Sequence, residues 1–163
     1  MYSILNFAFH SNIMIIMKNL FIPPAVVLYS VIFIILFYLF LKQFNIIPFP
    51  YNLGGIIITF VGFTIMGKSR DLFNKYKTTL GFDKSSYLID EGIFSKTRNP
   101  MYIGMFLLLL GIALCFRNLF SVLIPFLFIF ITMIAYIPKE EKLMQESFGQ
   151  KYIEYKERVK RWF

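Results

Sequence analysis

Thr97-Arg98-Asn99-Pro100-Met101-Tyr102-Ile103-Gly104 stands where a polar, basic segment gives way to a long apolar run, and its reading decides the fold. Arg98 is a fixed positive charge at that boundary, and Asn99 offers both a donor and an acceptor. Pro100 suits the first turn of a helix, where its missing N–H removes no hydrogen bond. The run that follows, Met101 to Phe116, carries no charge. Only Arg117-Asn118 separates it from a second uncharged run, Leu119 to Ile137, so the two form a tight antiparallel helix hairpin. Pro125 is expected to kink the second helix of the pair near its start, and Pro138 ends its apolar run. The boundary stretch reads as a membrane helix beginning at the water interface.

The composition of the whole chain agrees. Its 163 residues are 58% hydrophobic, with a mean hydropathy of +0.65. Soluble domains are about half apolar, but here the apolar residues come in long uncharged blocks rich in Phe, Ile and Leu, which is the signature of lipid-facing helices. The length accommodates one domain. The formal net charge is +8. The basic residues flank the apolar spans and build no separate basic domain, so anionic headgroups and the positive-inside rule explain them better than nucleic acid does. A single cysteine, Cys115, and a single histidine, His10, exclude an intrachain disulfide and a Cys/His metal site. A Ser-His-Asp hydrolase would have to use His10, in an unpromising N-terminal segment.

Before the hairpin lie two further spans. Pro23-Pro24 opens the first, Ala25 to Leu41, and Lys42-Gln43-Phe44-Asn45 closes it. A Pro-rich turn, Pro48 to Asn52, leads into the second, Leu53 to Met66, which holds Gly54, Gly55 and Gly62 and is followed by Gly67. Small residues let membrane helices approach closely; the other use of such space is room for a ligand. Residues 1–20 read as an N-terminal extension or a segment lying at the interface. They lack the basic start of a signal peptide. Residues 21–163 read as one membrane domain.

Between the second and third spans, Ser69 to Thr79 continues a helix out of the membrane and Leu80-Gly81-Phe82-Asp83 breaks it. Tyr87-Leu88-Ile89 is a short, extended apolar island, and Asp90-Glu91-Gly92 is a turn signal. The connection is longer than a tether needs to be; such loops are usually functional or disordered, and this one has aromatic and aliphatic residues enough to pack. After Pro138, Lys139 to Phe163 is an amphipathic tail. Leu143, Phe148, Tyr152, Tyr155 and Val159 recur near helical spacing, Gly149 interrupts them, and Lys160-Arg161-Trp162-Phe163 reads as an interfacial anchor. Seven Lys or Arg residues lie between Lys68 and Arg98 and seven in the tail, against only Lys42 and Arg117 in the other two connections. The positive-inside rule then puts the N-terminus, the second loop and the tail on the cytoplasmic side. The expected fold is an all-α integral membrane protein. It has about four transmembrane helices, with a C-terminal helix hairpin and an amphipathic cytoplasmic tail helix.

This topology brings Arg98 and Glu140-Glu141 to the same side. Singly, each has a structural explanation: Arg98 as an interfacial anchor, the carboxylates as complements to a helix N-terminus. Together they set one cation and two carboxylates at the mouth of a helix hairpin, a place where carboxylates need a reason to be. Such a pocket suits a zwitterionic ligand with a cationic centre. The spans themselves carry no charge, and Thr59, Thr64 and Thr132 are their best polar residues, which argues against transport of ions or polar solutes.

The order Gly92-x-Phe94-x-x-x-Arg98-Asn99-Pro100-x-Tyr102-x-Gly104, a helix hairpin, Glu140-Glu141, then Phe148-Gly149-x-x-Tyr152-x-x-Tyr155 resembles the isoprenylcysteine carboxyl methyltransferases and their phospholipid methyltransferase relatives. The resemblance covers roughly Leu53 to Arg161. It implies an integral membrane methyltransferase that takes its methyl group from S-adenosylmethionine and passes it to a lipid or hydrophobic acceptor entering from the bilayer, with no metal. It further implies that Ser86, Tyr87, Leu88, Ile89 and Phe94 line the cofactor site. Arg98 would suit the methionine carboxylate, and Asn99, Pro100, Met101 and Tyr102 would wrap the cofactor at the helix start. Glu140 and Glu141 would bind it from the tail side and Tyr152 would cover it. Two positions depart from the pattern. Asn99 stands where the family usually has His, and Tyr136 stands on the substrate side where the eukaryotic prenylcysteine enzymes have Arg. The rival functions are an NADPH-dependent membrane reductase of related architecture and a non-catalytic membrane protein. Ile/Phe/Lys/Asn-rich usage and the lack of an import signal point to a prokaryotic plasma membrane.

Overall fold

The computed structural model describes residues 22–78 and 86–163. The expectations for residues 1–20 and for the breaker Leu80-Gly81-Phe82-Asp83 fall outside the described residues. Among the described residues the chain is helical, with no strand. The elements are α1 (Pro23–Phe40), α2 (Gly54–Lys75), α3 (Pro100–Cys115), α4 (Leu119–Ile131), α5 (Ile137–Phe148) and α6 (Gln150–Arg158), with short 3₁₀ turns before α2 and α3. Prolines start α1 and α3, at positions whose N–H groups have no intrahelical partner.

Three stretches are long and apolar enough to cross a membrane: Pro23–Phe40, Tyr51–Lys75 and Leu119–Phe148, while Pro100–Cys115 is apolar but shorter. At 1.5 Å per residue that helix is about 24 Å long, against a hydrocarbon core of about 30 Å. The four expected spans are therefore three full-length helices and one short one. α3 packs against α2 and α4, and α1 packs against α4 and α3. Their shared core holds Ile34, Met105, Leu109, Ala113, Phe128 and Ile137. Leu28, Phe33, Phe60, Phe63, Leu123 and Phe130 point outward and are exposed, as lipid-facing residues are.

Lipid tails are as apolar as leucine, so these helices associate by close packing rather than by a hydrophobic drive. The tightest seam, between α2 and α3, is made by four glycines in two antiparallel pairs. Gly55 faces Gly111 and Gly62 faces Gly104. Each helix spaces its pair seven residues apart, two turns, so both glycines fall on one face. A Cβ on Gly62 would lie 2.6 Å from both the Gly104 carbonyl oxygen and the Leu108 nitrogen. Gly54 and Gly67 have nothing within 4 Å of an added Cβ. Of the four glycines around the second span, two are packing contacts and two face open space.

Asn118 holds the end of the bundle remote from the tail. Fully buried, it caps α4 by accepting from the Phe120 and Ser121 N–H groups. Its amide donates to the carbonyls of Phe37 and Leu41 and to Asn45 Oδ1. Ser121 donates to the Ile34 carbonyl at 3.1 Å, tying the same corner to α1.

The other end departs from the sequence reading. Pro138 does not start a separate tail helix. α4 runs into α5 through a π turn at Thr132–Tyr136, and Pro125 is accommodated, buried, inside α4. Pro138 has no N–H to give the Ile134 carbonyl, and its ring crowds that carbonyl. Widening the helix by one residue relieves the conflict. The carboxylates that follow sit on a continuing rod and not at a free helix N-terminus, so dipole complementation does not account for them. Gly149, at φ +54 and ψ −124, ends α5 and turns the chain into α6; L side chains rarely adopt this conformation.

Candidate active site

The boundary stretch at the start of α3 is covered by the C-terminus. Beyond α6 the chain becomes extended at Val159 and lies across Thr97-Arg98-Asn99. The Arg98 N–H donates to the Lys160 carbonyl at 3.0 Å. The Arg161 carbonyl accepts twice, from Thr97 Oγ1 at 3.0 Å and from Asn99 Nδ2 at 3.1 Å. Trp162 packs, half-buried, against the bundle core. Beneath α6, Tyr152, Tyr155 and Val159 form a second cluster with Leu88, Met144 and Phe148, and Tyr155 donates to the Phe94 carbonyl at 2.7 Å. On the outside, Arg158 pairs with Asp90 and Lys75 with Glu91. Loop and tail form one cap on the bundle.

The two carboxylates part company inside this cap. Neighbours on a helix point about 100° apart. Glu140 turns to α3 and accepts from Tyr102 Oη at 2.7 Å. Glu141 turns to the strap, where Arg161 grips both its oxygens at 3.2 and 2.7 Å. Arg98 Nη2 also approaches Glu141, at 3.3 Å. Glu140 enters no ion pair among the described residues. Burial first, and then the Glu141 carboxylate, push the Tyr152 phenol up to about 12. Tyr155 is raised by burial. The hydrogen bond to Glu141 raises the Arg161 guanidinium further. Arg98 carries the unresolved feature: its Nε and Nη1 are buried with no hydrogen-bond partner. Buried donors are normally paired, and an unmet one on a charged group is costly. A cleft of about 480 Å³, lined by Pro138, Glu141, Lys142, Gln145, Glu146 and Lys156, opens beside Glu141 and is of ligand size.

A helix hairpin carries an arginine at the start of one helix and a carboxylate pair at the end of the other, under a tail that covers both. The model of the phospholipid methyltransferase family matches residues 51–151, well over half of the chain. The chain belongs to the phospholipid methyltransferase family. The family is one of methyltransferases of membrane lipids, and the three membrane-length helices fit it. No curated protein matches the chain.

Against this phospholipid methyltransferase frame, the residues singled out from sequence separate into groups. Arg98, Tyr102, Glu140, Glu141 and Tyr152 come together at the mouth of the hairpin. Leu88 lies in the tail cluster. Ile89 and Phe94 are buried, and Phe94 meets Phe73 of α2 edge-on. Pro100 is fully buried at the helix start, and Met101 packs against the core. Asn99 is buried, its amide nitrogen engaged by the Arg161 carbonyl. Ser86 and Tyr87 turn to the end of α2: Ser86 donates to the Lys77 carbonyl at 3.3 Å, and Tyr87 stacks on Tyr76 at 4.2 Å. Tyr136, buried, lies in the π turn one helical turn before Glu140. Sequence reading missed Arg161 and Thr97. The available signal was that a carboxylate near the membrane needs a partner, which Arg98 alone does not supply to both glutamates.

Proposed function

We propose that this chain transfers a methyl group from S-adenosylmethionine to the amine of a phospholipid headgroup that reaches the site from the bilayer. The observation that carries the reading is the Arg98 guanidinium, held by Glu141 yet buried with Nε and Nη1 unmet. Unmet donors on a buried planar cation suit an anionic oxygen, and the methionine portion of the donor carries a carboxylate. Glu140, anchored by Tyr102 and in no ion pair among the described residues, offers acceptors for ribose hydroxyls or an amino group. Leu88, Ile89, Phe94 and Tyr152 give apolar and aromatic backing for an adenosine.

When bound, the cofactor supplies an electron-poor methyl group on a sulfonium. The amine would attack in its neutral form, its proton given up to solvent, with S-adenosylhomocysteine as the leaving group. Such a displacement depends on positioning and exclusion of water more than on an acid or base held by the chain. The chain's own part is to orient through Arg98 and Glu140 and to exclude water with the strap from Lys160 to Trp162. Tyr136 gives no cation where a prenylcysteine carboxylate would need one, which favours an amine over a carboxylate acceptor. By the positive-inside rule the cap faces the cytoplasm.

The test is methyl transfer in vesicles containing phosphatidylethanolamine, with S-adenosylmethionine labelled in the methyl group. Label is expected in the lipid fraction with the native chain and is expected to be lost with Arg98→Met. Folded native protein that leaves the lipid unlabelled, or that binds NADPH instead, contradicts the proposal.

A further inference from the structure

Arg161 lies beyond the matched family region, and the sequence reads it as a membrane anchor. Its geometry gives it another task. Arg98 and Glu141 are both nearly enclosed, their side chains 11% and 13% exposed. An enclosed arginine and carboxylate left to themselves close into a two-pronged pair, the strongest arrangement open to them. Here they do not. Arg161 takes Glu141 with both Nε and Nη2, and Arg98 is left with a single contact through Nη2 at 3.3 Å. The Arg98 Nε and Nη1 donors are both unmet, where a two-pronged pair would satisfy one of them together with Nη2. Arg161 can hold this position because its backbone is fixed independently of its side chain, by Thr97 and Asn99 on its carbonyl and by Trp162 against the core.

We propose that Arg161 is a positioning residue that holds Glu141 off Arg98 and so keeps the Arg98 guanidinium open to an anionic group of the methyl donor. The inference rests on the S-adenosylmethionine reading given above. Arg161 itself touches no ligand. Without its side chain Glu141 swings onto Arg98 and fills the place of the ligand carboxylate.

The test measures S-adenosylhomocysteine affinity, together with the KM for S-adenosylmethionine and kcat, in detergent-solubilised full-length protein. Arg161→Met is expected to weaken affinity and raise that KM by about tenfold or more, the loss of a hydrogen bond to a charged group, with kcat little changed. Adding Glu141→Gln to Arg161→Met is expected to restore affinity, because the competing carboxylate is gone; a purely structural Arg161 would make the double variant no better than the single one. Emission of Trp162 reports whether the strap stays docked. If truncation undocks it, Arg161→Lys decides: it keeps a charge on Glu141, so its affinity should lie between those of the native protein and Arg161→Met. Native affinity in Arg161→Met, no recovery in the docked double variant, or Arg161→Lys no better than Arg161→Met overturns the inference alone. Folded native protein that binds no S-adenosylhomocysteine overturns the cofactor reading, and this inference with it.

Discussion

Gly62→Ala adds one methyl group to the α2–α3 seam. The new carbon would lie 2.6 Å from the Gly104 oxygen and 2.6 Å from the Leu108 nitrogen, both backbone atoms that cannot rotate away. Ordinary contact begins near 3.4 Å, so the helices must part by roughly 0.8 Å, and overpacking of this kind costs about 1–3 kcal/mol. Function should suffer more. α3 carries Arg98 and Tyr102 at its start, and a displacement of about 1 Å at a site can cost about a hundredfold in rate. Gly67→Ala is the control, since nothing lies within 4 Å of its added carbon. It gains helix propensity, up to about 1 kcal/mol. The assay is thermal unfolding in detergent beside methyl transfer in vesicles. Gly62→Ala should unfold earlier and lose activity, while Gly67→Ala holds or gains stability. Equal midpoints for the two variants would refute the claim that backbone contact fixes this seam.

Three other outcomes follow from the same structure. Asn118→Ala removes the α4 cap and leaves Asn45 Oδ1 without its donor, for a loss of about 2–4 kcal/mol; Asn118→Asp keeps the capping oxygen but sets a buried carboxylate against the Phe37 and Leu41 carbonyls and Asn45 Oδ1, and should lose at least as much in the same unfolding assay. Gly149→Ala meets no atom but forces a side chain into positive φ, at about 1–3 kcal/mol, read as earlier proteolysis of the tail. The tail should also release in alkali. Burial raises the folded-state pKa of Tyr152 to about 12, above the ordinary phenol value of about 10. The stability this group contributes is therefore complete below pH 10 and lost as pH rises through 12. Trp162 emission should shift to the red over that window while the helical circular dichroism of the bundle persists; a shift complete by pH 9 would contradict the assignment.

The fold was legible where composition alone decides it. Uncharged runs and prolines located the starts of all four apolar helices to within a few residues, because lipid offers a backbone few alternatives to the helix. The glycine pairs were legible as small residues but not as partners. Only the crossing of α2 and α3 reveals that Gly55 and Gly62 pack while Gly54 and Gly67 do not. The continuity of α4 into α5 was hidden because a proline after an apolar run reads as a break, and its relief by a π turn depends on three-dimensional context. In the site, the motif order brought Arg98, Tyr102, Glu140, Glu141 and Tyr152 together. Their division of labour was not legible: adjacent glutamates look equivalent in sequence, and only helix geometry sends one to Tyr102 and the other to two arginines. Arg161 escaped because a basic and aromatic terminus has the composition of an interfacial anchor whether or not it folds back.

The central claim is that the mouth of the hairpin binds the methyl donor through Arg98 and Glu140. Calorimetric titration of the solubilised protein with S-adenosylhomocysteine, beside Arg98→Met and Glu140→Ala, tests it most directly. The account predicts micromolar binding by the native chain and a loss of at least about tenfold in each variant, the cost of a hydrogen bond to a charged group. Native protein that is folded but silent in the titration, or variants that bind as well as the native chain, would contradict it.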